Sequence, residues 1–144
     1  MADSDTSTRL KVYQATALFS VLFALMGFSY NVWRMEITER NSSVRESAFE
    51  LLLQLAELEQ VVYAAHYDQD TERGNPRDGW VKVGLINDLS SSCSETVEKA
   101  ASDLKQVWSD NWSRLVEQRE AANAVVAAID HTRAEVQSVL RSLD

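Results

Sequence analysis

The chain has 144 residues, 22 acidic against 14 basic side chains, a net charge of −8, four glycines, one proline and one cysteine. That length suits one domain, and so few turn-forming residues exclude an all-β chain, which needs a turn about every 8–12 residues. A single cysteine excludes an internal disulfide framework or a Cys-based zinc site, and an acidic balance with no basic patch argues against nucleic acid as a partner.

After a short tail over residues 1–11, no charge occurs between Lys11 and Arg34. Residues 12–33 are long enough to cross a bilayer core, which needs about 20 predominantly apolar residues in a helix. Tyr13 at one end, and Tyr30 and Trp33 at the other, have the character of membrane-interface anchors. A buried core helix would show a polar face, and none runs from Ala15 to Ser29. Cleavage as a signal peptide is disfavoured, because the apolar run exceeds an ordinary h-region and no A-x-A site follows it. The expectation is a single-pass membrane helix with lipid as its partner. Arg9 and Lys11 nearly balance Arg34, Arg40 and Arg45, so the positive-inside rule leaves both orientations open. The preferred one keeps the N-terminus inside, which in a bacterium means the inner membrane with the acidic domain in the periplasm.

The whole net charge lies in residues 34–144, since two acidic and two basic residues precede them. Apolar positions then repeat at alternating spacings of four and three, the seam of a coiled coil or bundle. Ile37, Val44, Leu51, Leu58 and Ala65 form one row, and Asn41, Ala48, Leu55 and Val62 the other. Asn41 is either a register-setting polar residue or a wet position. A loop over 67–79 follows, marked by Gly74-Asn75-Pro76 and Asp78-Gly79. The pattern resumes through Ile86, Ser90, Cys93, Val97, Ala100, Leu104 and Val107. It recurs through Leu115, Arg119, Ala122, Val126, Ile129, Arg133, Val136, Leu140 and Leu143. Between the two rows, residues 109–113 are rich in capping types.

Helices over about 34–66, 80–108 and 113–143 would each be about 45–50 Å long. The expected fold class is therefore all-α: a single N-terminal transmembrane helix continuing into an antiparallel three-helix, coiled-coil-like bundle. The competing reading makes 80–143 one helix about 95 Å long, half of it lacking an intrachain partner. In the three-helix arrangement the 109–113 turn lies beside the bilayer, bringing Trp108 and Trp112 toward Trp33. Core packing is the competing role for those two indoles, and Trp80 falls at the far end as a possible partner contact.

Catalytic and metal chemistry is hard to assemble. His66 and His131 belong to no H-E-x-x-H arrangement. Asp68, Asp70 and Glu72 alternate like the start of an EF-hand loop, but Arg73 stands where its glycine should be and Gly79 where its bidentate glutamate should be. They are expected to form a solvated acidic loop, with a weak divalent-ion or cationic-partner contact as the competing role. Cys93 reads as a small buried residue. Arg119 and Arg133, on seam positions, either bind an anionic ligand, pair with acids such as Glu50, Glu57 or Asp103, or lie at the seam's edge with stems buried and heads exposed. No enzyme, cofactor or metal is expected. The chain reads as a membrane-anchored interaction or scaffold protein, an envelope-complex subunit or a self-associating one, with a protein partner or further copies as its contacts. The alternative is a small sensory or ligand-binding module working through a separate partner protein.

Overall fold

A computed structural model describes the backbone of residues 2–143 and the side chains of residues 11–143. The described residues form helices and turns, with no strand among them. Helix α1 spans Ala2–His66, α2 Pro76–Ser90, α3 Glu95–Asn111 and α4 Arg119–Ser142, with a 3-10 turn over Trp112–Arg114 before α4. The segment up to Lys11, expected as a tail, has the backbone of α1. The chain divides into two units, one ending at Arg40 and the other beginning at Asn41.

In the first unit every described side chain is exposed. Three of its hydroxyl groups bond within the helix: Thr16 donates to the Val12 carbonyl, Ser20 to the Thr16 carbonyl and Thr38 to the Arg34 carbonyl, each at 2.9 Å. Such i−4 bonds let a helix carry Thr and Ser without presenting an unpaired donor to an apolar medium.

The second unit has one buried core, and the expected α1 row supplies much of it. Ala48, Leu51, Leu55, Leu58, Val62 and Ala65 are all buried. Val83 and Ile86 come from α2, Val97, Ala101, Leu104 and Trp108 from α3, and Ala122, Val125, Ile129 and Val136 from α4. Removing such side chains from water stabilises the fold by roughly 1.5–3 kcal/mol each.

The expected helix over 80–108 is two helices. The chain turns at 91–94, and Ser94 caps α3 by accepting the Val97 N–H at 3.2 Å. The serines at 90, 91, 92 and 94 explain the break. Ser90 and Ser91 bond back to the carbonyls of Asn87 and Asp88, competing with helix continuation. The first break lies over 67–75 rather than 67–79, because Asn75 caps α2 and Pro76 occupies its first turn. The expected turn at 109–113 is displaced to the stretch between Asn111 and Arg119.

Five contacts give the directions of these helices. Lys82 Nζ reaches Glu57 at 2.5 Å, while Leu89 shares a groove with Phe49 and Leu53, so α2 runs back along α1. Gly79 packs on the Trp108 indole, setting the start of α2 against the end of α3. The buried Thr132 hydroxyl donates to the Ala100 carbonyl at 3.2 Å, tying α4 to α3. His66 Nδ1 lies 2.8 Å from the Leu115 carbonyl, joining the end of α1 to the α3–α4 connection.

The extra turn also relocates the tryptophans. Trp108 is fully buried and packs edge-on against Trp80, ring centroids 6.4 Å apart. Trp112 lines a small cavity with Ala65 and Leu115, at the His66 end of the unit rather than near Asn41. The α3–α4 connection therefore lies at the opposite end of this unit from the one expected. Four segments, not three, fill it.

Two glycines are required by close approach. A Cβ on Gly74 would come within 2.5 Å of the Ala65 backbone, and one on Gly79 within 2.1 Å of Trp108 Cζ2. Gly84, also in α2, has open space around its missing Cβ. Gly79→Ala is expected to destabilise the second unit by about 1–2 kcal/mol, overpacking outweighing the gain in helix propensity. Gly84→Ala should stabilise it by about 0.5–1 kcal/mol. Denaturant unfolding followed by circular dichroism distinguishes the two signs.

Candidate functional site

Tyr13, Tyr30 and Trp33 all lie exposed on α1, with Tyr30 and Trp33 stacked obliquely at 6.2 Å between ring centroids. Between them Leu18, Phe19, Leu22, Phe23, Leu25 and Met26 point outward with no protein neighbour to cover them. This helix is long and apolar enough to cross a membrane. In water so much exposed apolar surface would be costly, at about 25 cal/mol for each Å².

Arg133 does not face an open anion site. Its Nη2 reaches Glu59 Oε2 on α1 at 2.5 Å, and its Nη1 contacts Asp130 one turn earlier on α4. Glu59 also accepts the Tyr63 hydroxyl at 2.7 Å. Burial pushes the Glu59 carboxyl up, but the hydrogen bonds from Tyr63 and Arg133, with the guanidinium charge, hold it below its ordinary value. Donating to that carboxylate raises the Tyr63 phenol. The sequence row through Val126 and Arg133 is shifted: Val125 and Thr132 are buried in α4, and Arg133 lies half-buried at the edge. Arg119 opens α4 and is exposed. Arg133 thus takes the seam-edge placement, engaged by acids other than those expected, and Arg119 does not join it as a second inward-facing cation.

The loop acids divide by role. Asp70 accepts the backbone N–H groups of Glu72 and Arg73, each at 3.0 Å, and these bonds lower its carboxyl. It closes the turn that delivers Gly74 onto Ala65, with Gln69 in the left-handed region at φ 52°. Asp68 and Glu72 are exposed. Among the described residues no group of three or more His, Cys, Asp and Glu side chains is placed to hold a metal ion. Cys93 is half-buried, and burial pushes its thiol up, away from the reactive thiolate.

Two further features lie at the α1–α2 junction. A groove of about 430 Å³ is lined by Glu57, Gln60, Arg73, Asp78, Val81 and Lys82. Its charges alternate in sign, and Lys82 is already held by Glu57. Trp80 is exposed at its outer edge but leans on Trp108, so it is part of the packing at this end. The cavity near Trp112 measures about 130 Å³, below the roughly 300 Å³ where small-molecule sites begin.

The residues that sequence reading missed are Glu59, Tyr63 and Asp130. Their i,i+4 and i,i+3 spacings signal the local bonds, but only the docking of α4 on α1 joins them through Arg133. No protein-family model matches the chain, and no curated protein or solved structure matches it either.

The Glu59 cluster makes a prediction about pH. A carboxyl lowered in the folded state stabilises fully above the ordinary carboxylate range and loses that contribution as pH falls through the lowered value. Glu59→Gln is expected to cost about 1 kcal/mol near pH 7. The difference from the parent protein should shrink as pH falls below about 4, in parallel denaturant titrations. A difference that stays constant to acid pH contradicts the ion-pair account.

Proposed function

We propose that this chain is a single-pass membrane protein whose acidic helical bundle serves as an interaction module beside the bilayer. One observation carries the reading: an uncharged, mostly apolar stretch over residues 12–33 whose side chains are all exposed, with aromatic rings near both its ends. Lipid is the medium that removes this cost, and about 33 Å of helix matches a bilayer core about 30 Å thick. Tyr13, Tyr30 and Trp33 serve as its interface anchors.

The arrangement of the second unit favours binding a protein over binding a small ligand. Arg133 is neutralised by two carboxylates, Asp70 is engaged in its own turn, and the larger exposed features are side chains such as Phe49, Leu53, Val81 and Val116. The proposed setting is a bacterial inner membrane with this unit in the periplasm, where it acts as a scaffold or complex subunit.

Alkaline carbonate extraction tests the anchor: the full chain is expected to stay in the membrane pellet. Leu22→Arg with Leu25→Arg should release it, since each central charge costs about 2.5–3.5 kcal/mol of insertion. Extraction of the parent chain into the aqueous fraction would end this reading. A C-terminal reporter active only outside the cytoplasm is the expected topology result.

A further inference from the structure

Helix α1 has a second stripe, on the face away from its core row. Phe49, Leu53, Ala56, Gln60, Tyr63 and Tyr67 recur at spacings of four, three, four, three and four. This is a heptad seam running opposite to Leu51, Leu55, Leu58 and Val62. Phe49 is 59% exposed, Leu53 51% and Tyr67 56%. Tyr67 follows the last residue of α1, and its N–H still bonds the Tyr63 carbonyl at 2.9 Å, so the stripe continues through it. On the α2 side Leu89 lies beside Phe49 and Leu53, and the exposed Val81 lies beside Gln60. An isolated exposed Leu means little, but a repeating apolar row fitted for knobs-into-holes packing marks an unpartnered helix face.

We infer that a second copy of this chain covers that face, forming a parallel, in-register dimer through Phe49–Tyr67 of α1. The inference rests on the membrane-anchored reading, because two chains inserted the same way leave the membrane on the same side and reach this stripe after the same number of residues. The charges fit such a pairing. With Leu53, Gln60 and Tyr67 at the a positions and Phe49, Ala56 and Tyr63 at the d positions, Arg45 falls at g and Glu50 at the following e′ of the other copy. That is the g–e′ pair that sets orientation in parallel coiled coils, and the two-fold axis makes it twice. The remaining flanking pairs, Leu52 with Glu57′ and Glu59 with Ala64′, bring no like charges together. Glu46 ends the apolar row at the preceding a position, where it meets Glu46 of the other copy; this like-charge pair lies outside the Phe49–Tyr67 contact. Gln60 is the one polar seam residue between Phe49 and Tyr63, in the place where a polar side chain fixes register.

The test uses the full chain in its membrane, with Cys93→Ser removing the native thiol. Leu53→Cys and Gln60→Cys are expected to give disulfide-linked dimers with copper phenanthroline as oxidant, while Asp103→Cys, exposed on α3, stays monomeric. Leu53→Glu should raise the dimer dissociation constant at least about tenfold. Helix content should be unchanged, because the side chain is already in solvent. Chains with Arg45→Glu should cross-link to chains with Glu50→Arg in preference to their own kind, since only the mixed pair juxtaposes opposite charges. Monomer at every position in a membrane-bound chain overturns the dimer, as does equal cross-linking at 103 or adducts only with a different protein. A chain that leaves the membrane yet cross-links at 53 and 60 would instead remove the anchor and keep the interface.

Discussion

Leu51, Leu55, Leu58 and Val62, wholly withdrawn from water, give α1 the surface on which α2, α3 and α4 close. A helix of this length can bury one stripe against its own chain and must leave the other faces to water, lipid or a partner. The described part of α1 divides its surface accordingly. Beyond residue 41 it has a buried stripe, and before residue 40 its described side chains are all exposed. The same helix thus carries two kinds of apolar surface, one buried within the chain and one exposed along a stretch long and apolar enough to cross a membrane.

The packing on that stripe depends on a few tight contacts between the ends of the short helices. Gly79 lets α2 start directly on the Trp108 indole, and Gly74 lets the preceding loop lie on the Ala65 backbone. The indole N–H finds no acceptor, so shape rather than hydrogen bonding places that ring. Along the flanks, polar ties specify which helices meet: Lys82 to Glu57, Arg133 to Glu59, Thr132 to Ala100. Such half-exposed ion pairs add little net stability, and their effect is mainly on register.

The distribution of charge and apolar surface bears on function. Arg133 is engaged by Glu59 and Asp130, Arg119 is exposed apart from it, and of the loop acids Asp70 closes its own turn while Asp68 and Glu72 face solvent. Side chains with large unsatisfied apolar area lie along helices. The proposed role as a membrane-anchored interaction module is drawn from that pattern.

Local patterning in the sequence determined the all-helical class, the uncharged stretch over 12–33 and the buried row from Ala48 to Ala65. Helical periodicity and missing turn residues act within a few residues of each other, so they are legible before folding. The break at Ser90–Ser94 was less legible, because serines signal a cap only when the flanking helices find separate partners. The tertiary structure decided that the unit has four segments, that Trp108 packs on Gly79, and that Val125 and Thr132 replace Val126 and Arg133 as inward positions in α4. A one-residue shift rotates a helix by about 100°, and an apolar row with adjacent candidates such as Val125 and Val126 allows either choice. The neighbours on the facing helices select between them, and those neighbours meet only once the chain has folded.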